Sequence, residues 1–79
     1  MSAKALLLAT LTLGANEPQV ITNTNVLDDV NECRPAMQQI AEHHNLKNNI
    51  FSQGKDYLKA RKTTAQGNIV LSVSCKELK

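Results

Sequence analysis

The sequence predicts an α+β fold, a small single domain in which a two- or three-stranded antiparallel sheet is covered by one or two helices. With 79 residues, the chain has room for one domain with a thin core. Apolar and polar residues alternate near both ends of the chain, and apolar residues recur at helical spacing between them. The expected order is β-β-α-α-β, or β-α-α-β if residues 1–15 are removed and residues 16–79 form the domain.

Residues 1–15 have two interpretations, and the choice bears on the compartment. One lysine, an apolar run over residues 5–13 and a small pair before polar residues have the order of a secretory signal peptide. The run is shorter than the about 20 apolar residues that cross a bilayer, so no membrane span is expected. Alternatively, residues 5–13 form a core strand with Leu7, Leu11 and Leu13 on one face.

The next two elements follow from propensity and spacing. Residues 19–24 are rich in β-branched side chains and predict a short strand, which Pro18 favours placing at a sheet edge. Helical spacing of apolar residues then predicts the first helix. Since Pro35 would interrupt a helix that began much earlier, the regular part is expected to start near Asn31 or Glu32.

The last third of the chain predicts one further helix and one strand. Apolar side chains over residues 50–61 again follow a helical spacing. The alternative is that residues 58–64 form a strand that pairs with the chain beyond Gly67. Residues 69–76 alternate between apolar and polar side chains, which predicts a final strand with Cys75 on its apolar face.

The two cysteines are predicted to lie close together. Cys33 is on the apolar side of the first helix and Cys75 on the apolar side of the last strand, so both face one core. A bridge would close about 43 residues and stabilise the fold by on the order of 4 kcal/mol. The alternative is two buried free thiols in a reducing compartment. Two cysteines without a close CxxC pair do not predict a structural zinc site.

Charge is unevenly distributed, although the net charge is only +2. Residues 16–46 carry an excess of acid and residues 47–62 an excess of base, so we expect the two segments to pack with complementary charge. The alternative is a basic patch that contacts phosphates while a tyrosine ring stacks on a base. We favour the first interpretation, so nucleic acid is not an expected partner. The candidate patch consists of Lys55, Tyr57, Lys59, Arg61 and Lys62.

No residue pattern predicts catalysis, a metal ion or a cofactor. His43 and His44 are adjacent, so on a helix their rings diverge by about 100° and do not readily face one ion. Cys33 would lie about 15 Å along the helix from either histidine, whereas proton transfer needs about 3 Å. The glycines form no phosphate-binding loop. The sequence therefore predicts a protein that is not an enzyme, with no catalytic residues, no metal ligands and no cofactor.

These features favour a small binding or inhibitor-like protein that is exported, either secreted or periplasmic, and stapled by one disulfide. Its expected partner is another protein or a second copy of itself. The alternative is a cytoplasmic, homodimeric interaction protein of phage or accessory-gene type, in which residues 5–13 are a core strand and an open sheet edge pairs two subunits. A weak basic nucleic-acid binder is the third hypothesis.

Overall fold

The computed structural model describes residues 3–14 and 19–78, which form a five-stranded antiparallel sheet with one α-helix packed on one face. The order of strands across the sheet is β2-β1-β5-β4-β3. The strands are β1 (Ala5–Gly14), β2 (Gln19–Leu27), β3 (Ile50–Gln53), β4 (Tyr57–Thr64) and β5 (Gly67–Glu77). The helix is α1 (Cys33–His43), and short 3-10 turns occupy Val30–Glu32 and Lys47–Asn49.

The predicted sheet of two or three strands under one or two helices is wrong, because the sheet has five strands and the second predicted helix is absent from the described residues. Residues 50–61 instead form β3, the turn after it and the first part of β4. In β4, Leu58 and Ala60 are buried while their neighbours are exposed, which is the two-residue period of a strand. Strand β4 pairs with β5 from Tyr57 opposite Ser74 to Thr64 opposite Gly67. The observed order is β-β-α-β-β-β.

Strand β1 lies inside the sheet, where it pairs with β2 on one side and β5 on the other. Ala5, Leu7 and Leu11 are buried on the face that α1 covers. Opposite them in β5 are other core side chains, since Leu7 faces Cys75 and Leu11 faces Leu71. In the structure, residues 5–13 therefore form a strand inside the sheet, as the second interpretation predicts. The chain between β1 and β2, residues 15–18, lies outside the described residues.

Helix α1 begins at Cys33, one to two residues after the predicted start. Pro35 is tolerated because it lies in the first turn, where backbone N–H groups have no partner within the helix. The helix ends in a Schellman motif: Asn45 has a positive φ of 59° and the Leu46 N–H donates to the Ala41 carbonyl over 2.7 Å. Among the described residues, no helix has the length and hydropathy needed to cross a bilayer.

The buried residues of the core lie on one face of the sheet and towards one of its ends. The helix contacts β1, β4 and β5, and Met37 and Leu46 are fully buried against them. Strand β2 contributes only Leu27 to this core, and its other eight residues are exposed. The molecule is elongated, 47 × 22 × 17 Å. Among the described residues, the helix leaves one whole face of the sheet and the outer edge of β2 uncovered.

Candidate functional site

The predicted bridge between Cys33 and Cys75 is confirmed: the two residues form a disulfide, with their Cα atoms 5.9 Å apart. Cys33 is the first residue of α1, and Cys75 lies on the covered face of β5. The bond therefore ties the start of the helix to the middle strand of the sheet. Both sulfurs are occupied by this bond, so neither is a thiolate nucleophile in this state.

The two histidines lie at the end of α1. His43 is its last residue and His44 follows it, with the ring centroids 5.2 Å apart in an edge-to-face arrangement. Within residues 3–14 and 19–78, no three His, Cys, Asp or Glu side chains form a group that could hold a metal ion. The absence of enzymatic activity stays a prediction.

The sheet face opposite α1 is called the open face. Since side chains alternate along a strand, the open face carries the residues between the buried positions of β1, β4 and β5. Three cations lie there, Lys59 and Arg61 on β4 and Lys76 on β5. The strand positions of this face that the structure describes include no Asp or Glu. The open face is therefore positively charged near β4.

Only part of the predicted basic patch comes together. Tyr57, Lys59 and Arg61 alternate along β4 and share the open face, whereas Lys62 has the opposite orientation and Lys55 lies in the turn before β4. The expectation that this segment is a helix is also wrong, because residues 57–62 lie in β4, a strand between β3 and β5. If the segment had been predicted as a strand, in which side chains alternate every second residue, Lys59 and Arg61 would have been assigned to one face and Lys62 to the other.

Sequence reasoning missed two members of this surface, Phe51 and Lys76. The Arg61 guanidinium carbon lies 5.9 Å from the centroid of the Phe51 ring, a cation–π contact. Phe51 is 62% exposed. The Tyr57 ring is held in place instead, since the Ser52 hydroxyl donates to its Oη over 3.2 Å and Gly54 leaves room for the ring. Phe51 is therefore the more accessible ring of the two.

The edge formed by β2 is the second candidate surface. Its nine residues contain no charged side chain, and nine consecutive pairs join it to β1 without a bulge. Val20 is 61% exposed, Ile21 46% and Val26 60%. The opposite edge of the sheet, β3, has four residues and a register shift after Ile50. Short length and bulges protect an edge from pairing, so β3 is protected and β2 is not.

A groove separates β2 from α1 on the covered side of the sheet. It has a volume of about 700 Å³, and its lining includes Asn23, Asn25, Ile40, His43 and His44. The helix thus stops short of β2, which leaves this strand accessible on both faces and along its outer edge. The groove places amide and imidazole groups beside the edge strand.

Similarity to known proteins gives no function for either the open face or the edge of β2. Comparisons with protein-family models, with curated proteins and with solved structures found no match to this chain.

Proposed function

We propose that this protein is a small non-enzymatic binding protein that pairs the outer edge of β2 with an extended strand of a protein partner. Addition of a strand to an exposed sheet edge is a general mode of protein recognition. The observation that carries the proposal is the exposed, uncharged and unbulged edge of β2. Backbone hydrogen bonds supply affinity in this mode, and alternate side chains supply specificity.

The outward backbone groups of β2, an edge strand, are free to form hydrogen bonds with a partner strand, which supports the proposal. Every second residue of an edge strand directs its N–H and C=O groups away from the sheet. Edge strands that stay unpaired commonly carry lysine, proline or a bulge, and Gln19–Leu27 has none of these. A partner strand would satisfy these groups without a rearrangement of the sheet.

Apolar side chains beside the edge favour the same partner. The open-face strip along β2 and β1 includes Val20, Val26 and Leu8, of which Leu8 is 39% exposed and lies opposite Thr24. A strand added to β2 would cover part of this strip, and burial of apolar area contributes about 25 cal/mol per Å². The strip therefore adds a hydrophobic contribution to the backbone hydrogen bonds.

The disulfide supports action in an oxidising compartment, such as the periplasm or the extracellular space, where such bonds persist. The sheet also needs β1, because this strand joins β2 to β5. We therefore propose that residues 5–14 remain in the folded protein. Intact-mass measurement of the protein from its native cell tests both points: we expect these residues to be retained and two hydrogens to be missing.

A nine-residue peptide of alternating valine and threonine, uncharged and extended, is the probe for strand capture. We expect amide signals of β2 to shift in ¹⁵N–¹H NMR spectra on titration, and the outward amides of β2 to exchange more slowly with solvent. Ile21→Lys should weaken binding about tenfold, because a charged side chain on an edge opposes pairing. No shift in β2 at millimolar peptide, measured at protein concentrations at which the chain is a monomer, would contradict the proposal.

The matched control is Phe51→Lys on the protected edge. Phe51 and Ile21 are both exposed apolar residues on edge strands. The control should leave the affinity for the peptide within about twofold of wild type, because β3 is not the pairing edge. Equal losses from the two substitutions would show that the peptide does not recognise β2 in particular.

A second candidate function is weak binding of single-stranded nucleic acid on the open face. The observation that favours it is the pair of Lys59 and Arg61 on β4 beside an exposed Phe51, with no described acid on the same face. Cations that follow the phosphates and rings that stack on bases are the usual elements of such sites. The small net charge of +2 limits the affinity to be expected.

A further inference from the structure

The residues of β2 that lie on the open face are symmetric about its middle residue, Asn23. Thr22 and Thr24 flank this residue, and Val20 and Val26 lie beyond them, all four on the open face. The side chains of this face therefore have the same order in both directions along the strand. A strand with this property presents a matching surface to a second copy that runs antiparallel to it.

A two-fold axis restricts how two copies of one strand can pair. Directly opposed residues of an antiparallel ladder point to the same face of the sheet. Two identical strands related by a two-fold axis meet this condition when one residue lies opposite its own copy. With Asn23 at the axis, Val20 lies opposite Val26 of the second copy, and Thr22 lies opposite Thr24. This register pairs like with like on the open face and uses all nine residues of β2.

A shift of the axis by one residue gives a poorer match on the open face. With Thr24 at the axis, Val20 lies opposite Asp28, so an apolar pair becomes an apolar–charged one. With Thr22 at the axis, Val20 lies opposite Thr24, and the end of each strand extends past the other. β-branched pairs directly opposite each other contribute roughly 0.2–1 kcal/mol more than alanine pairs, so the register centred on Asn23 is preferred.

We infer that the strand captured by β2 is β2 of a second copy of this chain, in the two-fold register centred on Asn23. The inference rests on the proposed function and names its partner. The two five-stranded sheets then form one continuous ten-stranded sheet. Because the axis is perpendicular to the sheet, both α1 helices lie on the same side, and the two open faces join on the other.

The dimer also changes the groove between β2 and α1. The grooves of the two copies lie next to the axis, on the side of the helices, and join into one cleft with the paired β2 strands as its floor. Asn23 of both copies lies at the centre of this floor, and His43 and His44 line its sides. The edge that would otherwise stay open is thus closed by an isologous interface.

Cysteine cross-linking tests the register. Across the axis the Cα atoms of Asn23 would lie about 4.5–5.5 Å apart, as in any opposed pair of an antiparallel ladder, within the range of about 4.4–6.8 Å that a disulfide spans. The Cα atoms of Asn25 would lie about 14 Å apart. On mild oxidation we expect Asn23→Cys to give at least about tenfold more linked dimer than Asn25→Cys, with the native disulfide intact by peptide mapping.

A charge exchange tests the same pairing without a new cysteine. Thr22→Lys with Thr24→Lys places like charges opposite each other twice, and we expect dimer dissociation constants at least about tenfold higher by sedimentation equilibrium. Thr22→Lys with Thr24→Glu places opposite charges at the same positions and should restore dimerisation. Circular dichroism and thermal unfolding check that both variants are folded.

The outcomes separate this inference from the proposed function. A monomer at all concentrations that still binds the valine–threonine peptide would overturn the inference and leave strand capture by β2 standing. A monomer that does not bind the peptide would overturn both. A dimer that cross-links equally through Asn23→Cys and Asn25→Cys, or that does not respond to the charge exchange, would overturn the register and with it the inference.

Discussion

The disulfide between Cys33 and Cys75 holds the start of α1 on the middle strand of the sheet. A bridge between residues 42 apart in sequence restricts the unfolded chain and stabilises the folded state by on the order of 4 kcal/mol. We expect reduction to lower the free energy of unfolding by about this amount, measured by urea denaturation with and without reductant.

The double variant Cys33→Ser with Cys75→Ser is the control for this measurement. Its free energy of unfolding should not respond to reductant, and it should be close to that of the reduced protein. A reduced protein as stable as the oxidised one would show that the bridge adds nothing to the small core. Both cysteines could be placed from sequence, because the helical spacing around Cys33 and the alternation around Cys75 each mark an apolar face.

At the scale of elements, β1 decides whether the sheet forms as one unit. Leu7 is buried under α1, and the adjacent Leu8 lies on the open face. Leu7→Ala should lower the free energy of unfolding by about 2–5 kcal/mol, because it removes packed atoms and leaves a cavity. Leu8→Ala is the matched control and should cost about 1 kcal/mol or less. Urea denaturation measures both; equal costs would contradict the burial of β1.

The hairpin of β3 and β4 shows why this element could not be predicted locally. The apolar residues of segment 50–61 fit a helical spacing, and Leu58 and Ala60 also fit a strand with one buried face. The sequence pattern therefore agreed with either a helix or a strand in this segment. The choice depends on β5, which offers β4 a hydrogen-bonding partner along its whole length. This partner is contributed by residues that follow in the sequence, so a local pattern does not contain it.

The charge distribution of the whole molecule makes a prediction for nucleic acid. Three cations on the open face, Lys59, Arg61 and Lys76, would give a slope of log affinity against log salt of about −2 on single strands, from about 0.7 per phosphate. We therefore expect weak binding of a thymidine 20-mer at low salt, and no measurable binding at physiological salt, by fluorescence anisotropy.

Two variants identify the face that such binding would use. Lys59→Ala with Arg61→Ala should abolish the low-salt binding, because both side chains lie on the open face. Lys62→Ala removes the same kind of charge from the other side of β4 and is the matched control. Micromolar or tighter binding at physiological salt would instead favour nucleic-acid binding over strand capture as the main function.

Side-chain spacing along the chain predicts those parts of the protein that depend on neighbouring residues. The alternation in β1 and β5, the β-branched run of β2, the start of α1 near Pro35 and the closeness of Cys33 and Cys75 all follow from side-chain spacing. Each of these features depends on which face of a strand or helix is apolar, and the spacing of apolar residues in the sequence shows this face directly.

The five-stranded order β2-β1-β5-β4-β3 and its consequences could be read only from the folded sheet. It placed β1 inside the sheet and β2 at an unprotected edge, and it separated Lys59 and Arg61 from Lys62 by face. The physical reason is that strands satisfy their backbone hydrogen bonds with residues distant in sequence. Which edge stays unpaired, and which face stays uncovered, is therefore a property of the assembled sheet.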